Sequence, residues 1–416
     1  MAPRDNSADL FTPAPLPVAP LDDAQRLACL RLIRSENVGP VTFRDLINHY
    51  GGARQALDAL PELARRAGRR RPIVICPADR AEAELAAAAR HGARPLFTIE
   101  PGYPPALAHL AAPPPMLYVK GRPELLTNDA LAIVGSRNAS AAGIAMTRLL
   151  ASRVGTAGFM IASGLARGID AAAHDASLST GTIAVLAGGI DFVYPPENAG
   201  LHARIAESGC LVTEMPPGFQ PRGQDFPRRN RIVSGLSLGV LVIEAVRRSG
   251  SLITAHSANE QGRVVMAVPG HPLDPRSEGP NGLLRQPGVT MVTSANDVLE
   301  VLEPMRRKWS GPGGRLAEAG PGAIWEPNGH EQPDETSSAD RTPSSTTRPP
   351  PDAGMVGGMD ADAMVLSALS PAPATIDDIA RATGLSARAV KTALMELSLA
   401  GRVEQHGNQL VSLKDP

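Results

Sequence analysis

Several short polar stretches of this chain carry the residue types that hold phosphate: Gly135-Ser136-Arg137, Ser163-Gly164-Leu165-Ala166-Arg167-Gly168, Gly188-Gly189-Ile190-Asp191, and Arg248-Ser249-Gly250-Ser251 with Thr254. Glycine lets a backbone approach an anion, serine and threonine hydroxyls donate to phosphate oxygens, and a guanidinium grips phosphate bidentately. A further stretch, 221–231, sets Arg222, Arg228, Arg229 and Arg231 against the single acid Asp225. Within it Phe226-Pro227-Arg228-Arg229-Asn230-Arg231 puts an aromatic ring beside positive charge, the pairing used to bind single strands by stacking and phosphate contact. A second reading stands beside it, in which these arginines pair with Glu214 and Glu244.

The formal net charge is −1, so a polyanion site must be a local patch rather than the pull of the whole molecule. Aromatic residues are 3% of the chain, so a stacking platform must be small and backbone contacts dominate. Asp170, Asp191, Glu214 and Glu244 lie near strand ends, but none is spaced with a nucleophile or a metal-ligand set, and they read as groups that orient the loops. His174 follows Asp170 at helical spacing and reads as a packing residue; His256 and His271 have no ligand-spaced partners. GxGxxG, GxSxG, HExxH and GxxxxGK[ST] patterns are absent. The three cysteines, Cys29, Cys76 and Cys210, are far apart and suggest neither a disulfide framework nor zinc. No catalytic residue, metal or cofactor is expected.

These loops need a scaffold that brings them to one edge. Continuously apolar runs fall at 131–134, 159–162, 183–187, 210–212, 239–243 and 264–268, with helical patterns at about 140–155, 169–178 and 252–261 between them. Strands of that kind alternating with helices indicate a Rossmann-like α/β fold, a parallel sheet covered on both faces, whose ligands sit beyond the carboxyl ends of the strands. The helix beginning after Gly135-Ser136-Arg137 would add its N-terminal amides and dipole to an anion cradle.

Composition divides the chain into a disordered start (1–20), a helical module (21–93), the Rossmann-like unit (94–303), a flexible linker (304–359) and a winged-helix-like tail (360–416). In the first module Val38-Gly39-Pro40 separates helices and is similar to helix-hairpin-helix and sterile-alpha-motif turns. In the tail, Gly384 ends a second helix, Ser386 caps a third, and Val403 to Leu413 with a turn at Gly407-Asn408 suits a hairpin. No apolar run nears the roughly 18 residues of a membrane span, and the N-terminus lacks a signal-peptide core, so a cytoplasmic protein without membrane contact is expected.

Taken together, Ala132 to Arg137, Ser163 to Asp170, Glu214 to Gly218, Phe226 to Ile232, and Ser249-Gly250-Ser251 with Thr254-Ala255 resemble the DprA/Smf family of DNA-processing proteins over about 103–300. The resemblance implies a non-enzymatic role: binding and shielding incoming single-stranded DNA and helping to load the RecA recombinase in natural transformation, as a homodimer. Carried over by motif, Gly135, Ser136 and Arg137 would hold phosphates, and Ser163, Gly164, Arg167, Gly168, the 226–231 segment, Ser249, Gly250, Ser251 and Thr254 would belong to the same DNA site. Some members carry a lysine in the loop before the phenylalanine; here Arg222 stands in that loop. The competing class is an enzyme, since the sheet and loops are also similar to lysine-decarboxylase-like phosphoribohydrolases, with Glu244 or Glu260 as the candidate carboxylate. Their PGGxGT run is absent.

Overall fold

The computed structural model describes residues 20–66, 71–309, 358–370, 372–406 and 410–414. The start expected over 1–20, except Pro20, most of the linker expected over 304–359, and the turn at Gly407-Asn408 lie outside the described residues. Helices α1 (Asp23–Ile33), α2 (Pro40–Tyr50), α3 (Ala53–Arg66) and α4 (Ala78–Arg90) come first. Gly39 is extended ahead of α2 and Pro40 fills its first turn, where a missing N–H costs no hydrogen bond.

The central sheet then builds up through β1 (Arg94–Phe97), α5 (Pro105–Ala108), β2 (Met116–Gly121), β3 (Ala130–Val134), α6 (Ala141–Thr156), β4 (Met160–Ser163), α7 (Ile169–Ser177) and β5 (Thr182–Val185). It continues through α8 (Ala199–Ser208), β6 (Cys210–Thr213), α9 (Asp225–Gly235), β7 (Gly239–Val242), α10 (Gly250–Glu260), β8 (Val264–Ala267), α11 (Glu278–Leu283), β9 (Thr290–Met291) and α12 (Ala295–Trp309). The nine strands lie in the order β1-β2-β6-β5-β4-β3-β7-β8-β9. From β6 to β9 neighbours pair in parallel, whereas β2 joins β6, and β1 joins β2, antiparallel.

The apolar runs are continuous because each strand is covered twice. Ala130, Ala132 and Val134 point into one apolar cluster and Leu131 and Ile133 into the other; Val240 and Val242 against Leu241 repeat the alternation on β7. From β3 the chain winds through β4, β5 and β6 to one side, then crosses to β7 and β8 on the other, so its direction reverses between the paired strands β3 and β7. Ligands of open α/β sheets collect at such a reversal, outside the carboxyl ends.

Three differences from the sequence reading have plain causes. Helix α9 covers most of the stretch read as an arginine loop: Pro227 sits in its first turn, where the amide it lacks would have no partner. Helix α8, unread between the third and fourth runs, fills the crossover from β5 to β6. Helix α12 continues through Pro304 to Trp309, so the composition change after Glu303 does not end ordered chain.

The tail folds as α13 (Gly358–Ala368), β10 (Ala374–Thr375), α14 (Ile376–Thr383), α15 (Ala387–Leu399), β11 (Val403–Gln405) and β12 (Leu410–Leu413), three helices with a sheet ordered β10-β12-β11. The Ser386 hydroxyl accepts the Ala389 amide at 3.2 Å to cap α15, and Gly384 ends α14 with φ +70°. Contacts divide the chain into two compact units, 1–31 with 76–325 and 32–75 with 326–416, so the segment expected as one helical module contributes to both. The cause lies on α15: Val390, Ala393, Leu394 and Leu397 fill the winged-helix core, while Met395 and Leu399 are also buried but belong to another face. Helices α2 and α3 pack on α15, and the Asn37 amide donates to the Leu399 carbonyl at 2.9 Å.

Candidate nucleic-acid interface

The carboxyl edge of the nine-stranded sheet presents two loop clusters of different character. The first lies at the N-terminus of α6, beside the strand reversal. Its Ser140 hydroxyl accepts the Gly143 amide at 2.9 Å, the usual N-cap bond. Ser140 in turn donates from its own amide to Glu244 Oε2 at 2.9 Å and from its hydroxyl to Glu244 Oε1 at 2.5 Å. The carboxylate that follows β7 therefore occupies the place where a nucleotide phosphate would meet helix amides. Glu244, one candidate for an enzymatic carboxylate, is held there and does not line the cavity described next. Glu260, the other, sits on the exposed side of α10, 3.3 Å from His256.

The second cluster surrounds an open cavity of about 200 Å³ over the ends of β4 and β5. Its walls come from Arg137, the Gly164 to Arg167 loop, Leu186 to Gly188, Phe192, Tyr194 to Glu197, Pro221, Phe226 and Arg229. The loops are tied to one another by backbone contacts. Asn198 donates to the Leu165 and Ala166 carbonyls at 2.9 and 3.1 Å, and the Asp191 carboxylate accepts the Gly218 amide at 2.8 Å. Gly168 begins α7 with φ +73°, and a Cβ there would lie 2.2 Å from the Ser136 carbonyl oxygen, so glycine alone permits the β3 and β4 loops to touch.

Arg229 forms the cavity floor. It is 7% exposed, donates from Nη1 to the Val185 carbonyl at 2.6 Å, and lies so near Gly164 that a Cβ there would fall 2.0 Å from Nη1. Burial lowers its pKa to about 10, with neighbouring Asp170 opposing the shift. Asp170 accepts the Gly164 and Ala166 amides at 3.2 and 3.3 Å; burial raises its pKa against the pull of Arg229 and those amides. His174 lies beneath, its Nδ1 2.7 Å from the Thr182 hydroxyl, and burial first, then Arg229, holds its pKa down at about 3. It is a neutral packing residue. Asp170 was read from sequence as an orienting group, and it is one, through the amides of the very loop it follows.

The residues singled out by sequence fall into three groups. Arg137, Arg167, Arg222 and Arg228 are exposed. The Arg137 and Arg222 guanidiniums have no carboxylate partner among the described residues, although the Arg222 amide donates to Asp225 at 2.7 Å, while Arg167 reaches Glu197, and Arg228 reaches Glu214, only at 3.7 Å. Phe226 is half-buried at the cavity wall, with the Arg137 guanidinium 5.6 Å from its ring centre. Gly135, Ser136, Gly164, Gly168, Ser249 and Gly250 shape backbone. The Gly135 carbonyl accepts the Ser251 hydroxyl at 2.8 Å, the Ser136 hydroxyl accepts the Asn138 amide, and Ser249 caps α10.

The third group is turned inward, contrary to a direct role in DNA contact. Ser163 is fully buried and donates to the Ile133 carbonyl at 2.6 Å. Asn230 donates to the Gly250 carbonyl, Thr254 is buried within α10, and Ser251 is spent on Gly135. Arg231 is clamped by both oxygens of Glu214 at 2.6 and 2.7 Å, the ion-paired alternative weighed for this patch. The reason is helical geometry. On α9, residues 229 and 230 are buried, 226 shares their side but lies in the first turn, half-buried at the cavity wall, and 228 points to solvent. Tyr194 was missed as a site residue. It lines the cavity, and its ring lies 5.4 Å from that of Phe226, tilted by 55°. The available signal was a tyrosine, one of four in the chain, among polar and glycine-rich loops at a strand end.

Residues 94–303 match the family described as DNA recombination-mediator protein A, residues 23–87 a DprA-like N-terminal helix-hairpin-helix domain, and residues 344–409 a DprA winged helix domain. Protein Smf of Escherichia coli is 47% identical over 204 residues, 48% of this chain and 54% of that protein; the match thus spans about half of that relative's length. DNA processing protein DprA of Bacillus subtilis is 42% identical over 213 residues, 50% of this chain and 71% of that protein. The X-ray structure of DNA processing protein A from Streptococcus pneumoniae superposes with a TM-score of 0.56 at 34% identity, covering 66% of this chain and 96% of that one.

Proposed function

Because this chain belongs to the DNA recombination-mediator protein A family, we propose that it binds single-stranded DNA at the cavity edge of its central sheet, shielding incoming strands and helping to load RecA in natural transformation. The observation that supports the reading is the open rim: the Arg137 guanidinium, exposed and without a carboxylate partner among the described residues, beside the Phe226 and Tyr194 rings, with Arg222 exposed next to the lining residue Pro221. Exposed guanidiniums hold successive phosphates, and aromatic faces accept bases that are not stacked in a duplex. Glu244 at the α6 N-terminus supports a strand over a mononucleotide as ligand, because the strongest phosphate seat of a Rossmann-like sheet already holds an anion.

The role is a binding role without catalysis, performed in the cytoplasm by a homodimer; among the described residues no helix is long and apolar enough to cross a membrane. The direct test is a titration of the purified chain with an oligonucleotide and with its duplex at several salt concentrations. The single strand should bind far more tightly, with log affinity falling as log salt rises because counterions are released. Equal affinity for the duplex, or release of a free base from a nucleoside monophosphate, would overturn the reading.

A further inference from the structure

The winged-helix tail carries a helix-turn-helix pair, α14 and α15, and in such a pair the second helix reads DNA by laying its outward face in the major groove. On α15 the core fixes that face. Val390, Ala393, Leu394 and Leu397 point inward, so Arg388, Lys391, Thr392, Met395 and Leu399 lie on the opposite side. The stripe changes character along its length: Arg388 and Lys391 in the first two turns are exposed, whereas Met395 and Leu399 are 2% and 0% exposed. The covering elements are α2 and α3, which pack on α15 within one compact unit. The Asn37 amide ahead of α2 donates to the Leu399 carbonyl at 2.9 Å, and a Cβ at Gly401 would lie 3.2 Å from that same amide nitrogen. Charge follows the packing. Burial raises the pKa of Asp45 on α2, opposed by Arg44 and then by Lys391 of α15; burial raises that of Glu396 on α15, opposed by Asp362 and then by Arg66 of α3.

We propose that the outward face of α15 is the seat of α2 and α3 rather than a reader of duplex DNA, so that this winged helix serves as a protein-docking module joining the tail to the N-terminal helices. A helix fills the major groove, which is about 12 Å wide and 8.5 Å deep, so its outward face must be bare. Here a second layer of helix, standing roughly 8–10 Å off the α15 axis, covers positions only about 10 and 16 Å along that axis from Arg388. That layer takes the space the groove floor would need. The chemistry agrees. Base edges are met by donors and acceptors, but the second half of this stripe is methionine and leucine, with the acid Glu396 alongside. The seat belongs to the unit formed by 32–75 and 326–416, which does not contain the cavity, so its test is independent of single-strand binding at the central sheet.

The experiment uses the full-length chain and has two arms. In the first, wild type and the double variant Arg388→Ala, Lys391→Ala are titrated with a duplex of about 20 base pairs at low salt. Both substituted residues are exposed, so the fold should be kept. The two proteins should bind alike, within about threefold, or neither should bind. A larger loss in the variant would make α15 a reader of DNA and overturn the proposal. In the second arm, Met395→Asp places a charge in the seat, and backbone hydrogen exchange is followed in the whole chain. Exchange in α2 and α3 should quicken by roughly tenfold or more, while α14 and β12 keep their protection. Unchanged protection of α2 and α3 would show that Met395 does not seat them. An equal loss in α14 and β12 would make Met395 part of the winged-helix core. Either result would overturn the seat, and neither would touch the reading of the central sheet.

Discussion

The two loop clusters at the carboxyl edge are built from similar residues and are left in opposite states. At the start of α6 the Ser140 amide and hydroxyl both donate to the chain's own Glu244, and the Gly143 amide is satisfied by the Ser140 hydroxyl. Over β4 and β5 the convergent groups are arginines, glycines and two rings around an open cavity, with the buried Arg229 held in the floor. A phosphate-type loop is therefore not by itself a phosphate site. What decides is whether the fold supplies the counter-charge from within. In the first cluster it does; in the second Asp170 lies near Arg229 in the floor, while at the rim Arg167 meets Glu197 only at 3.7 Å and the Arg137 guanidinium has no carboxylate partner among the described residues.

The floor and rim of the open cluster should respond to substitution in different ways, and the largest effect belongs to the floor. Arg229→Ala removes a buried guanidinium that donates to the Val185 carbonyl and lies near buried Asp170, a loss of about 3 kcal/mol, read by urea denaturation of the central unit. A stability within about 0.5 kcal/mol of wild type would place Arg229 at the rim instead. Below it, His174 links the floor to pH. Its folded-state pKa of about 3 lies under the ordinary 6.5, so it contributes stability above pH 6.5 that is lost as pH falls toward 3. Asp170, raised by burial, acts in the opposite sense, so the contribution is read as wild type minus His174→Gln in melting experiments across that range. A difference that does not change with pH would mean that the histidine is not held neutral.

Rim substitutions should spare the fold and change binding. Arg137→Ala should weaken single-strand binding about fivefold to tenfold at low salt, equally for all sequences, and lower the salt slope by about 0.7. A loss confined to particular sequences would make it a base reader. The smallest effect on DNA is expected at the filled cluster. Glu244→Gln keeps the shape but removes the charge at the α6 N-terminus, costing about 0.5–2 kcal/mol of stability, and should leave single-strand affinity within about twofold. A large loss of DNA binding would mean that the two clusters form one site.

How much of this was legible in the sequence depends on whether a feature is set by local pattern or by packing. The six central strands were readable because strands covered on both faces must be apolar at every position, as Ala130 to Val134 are. The gathering of the loops followed from the parallel alternation. Ser163, Asn230, Arg231 and Thr254 were misjudged because residue type shows what a side chain can bind and not which way it points. That direction was fixed by β4 for Ser163, by α9 for Asn230 and Arg231 and by α10 for Thr254, and α9 was hidden by a proline in its first turn. Glu244 and Ser140 are 104 positions apart, and only the crossing from β6 to β7 brings them together. The union of α2 and α3 with α15 was equally invisible, since it depends on a buried second face of α15 that looks in sequence like ordinary helix.

The central claim is that the open cluster takes a strand while the filled one takes no nucleotide. It is tested most directly by titrating a labelled single-stranded oligonucleotide into the purified full-length chain, with an equal titration of its duplex and competition by adenosine monophosphate. The account predicts salt-sensitive binding of the single strand, much weaker binding of the duplex, and no displacement by the mononucleotide at millimolar concentration. Displacement by the mononucleotide, or equal binding of the duplex, would contradict it.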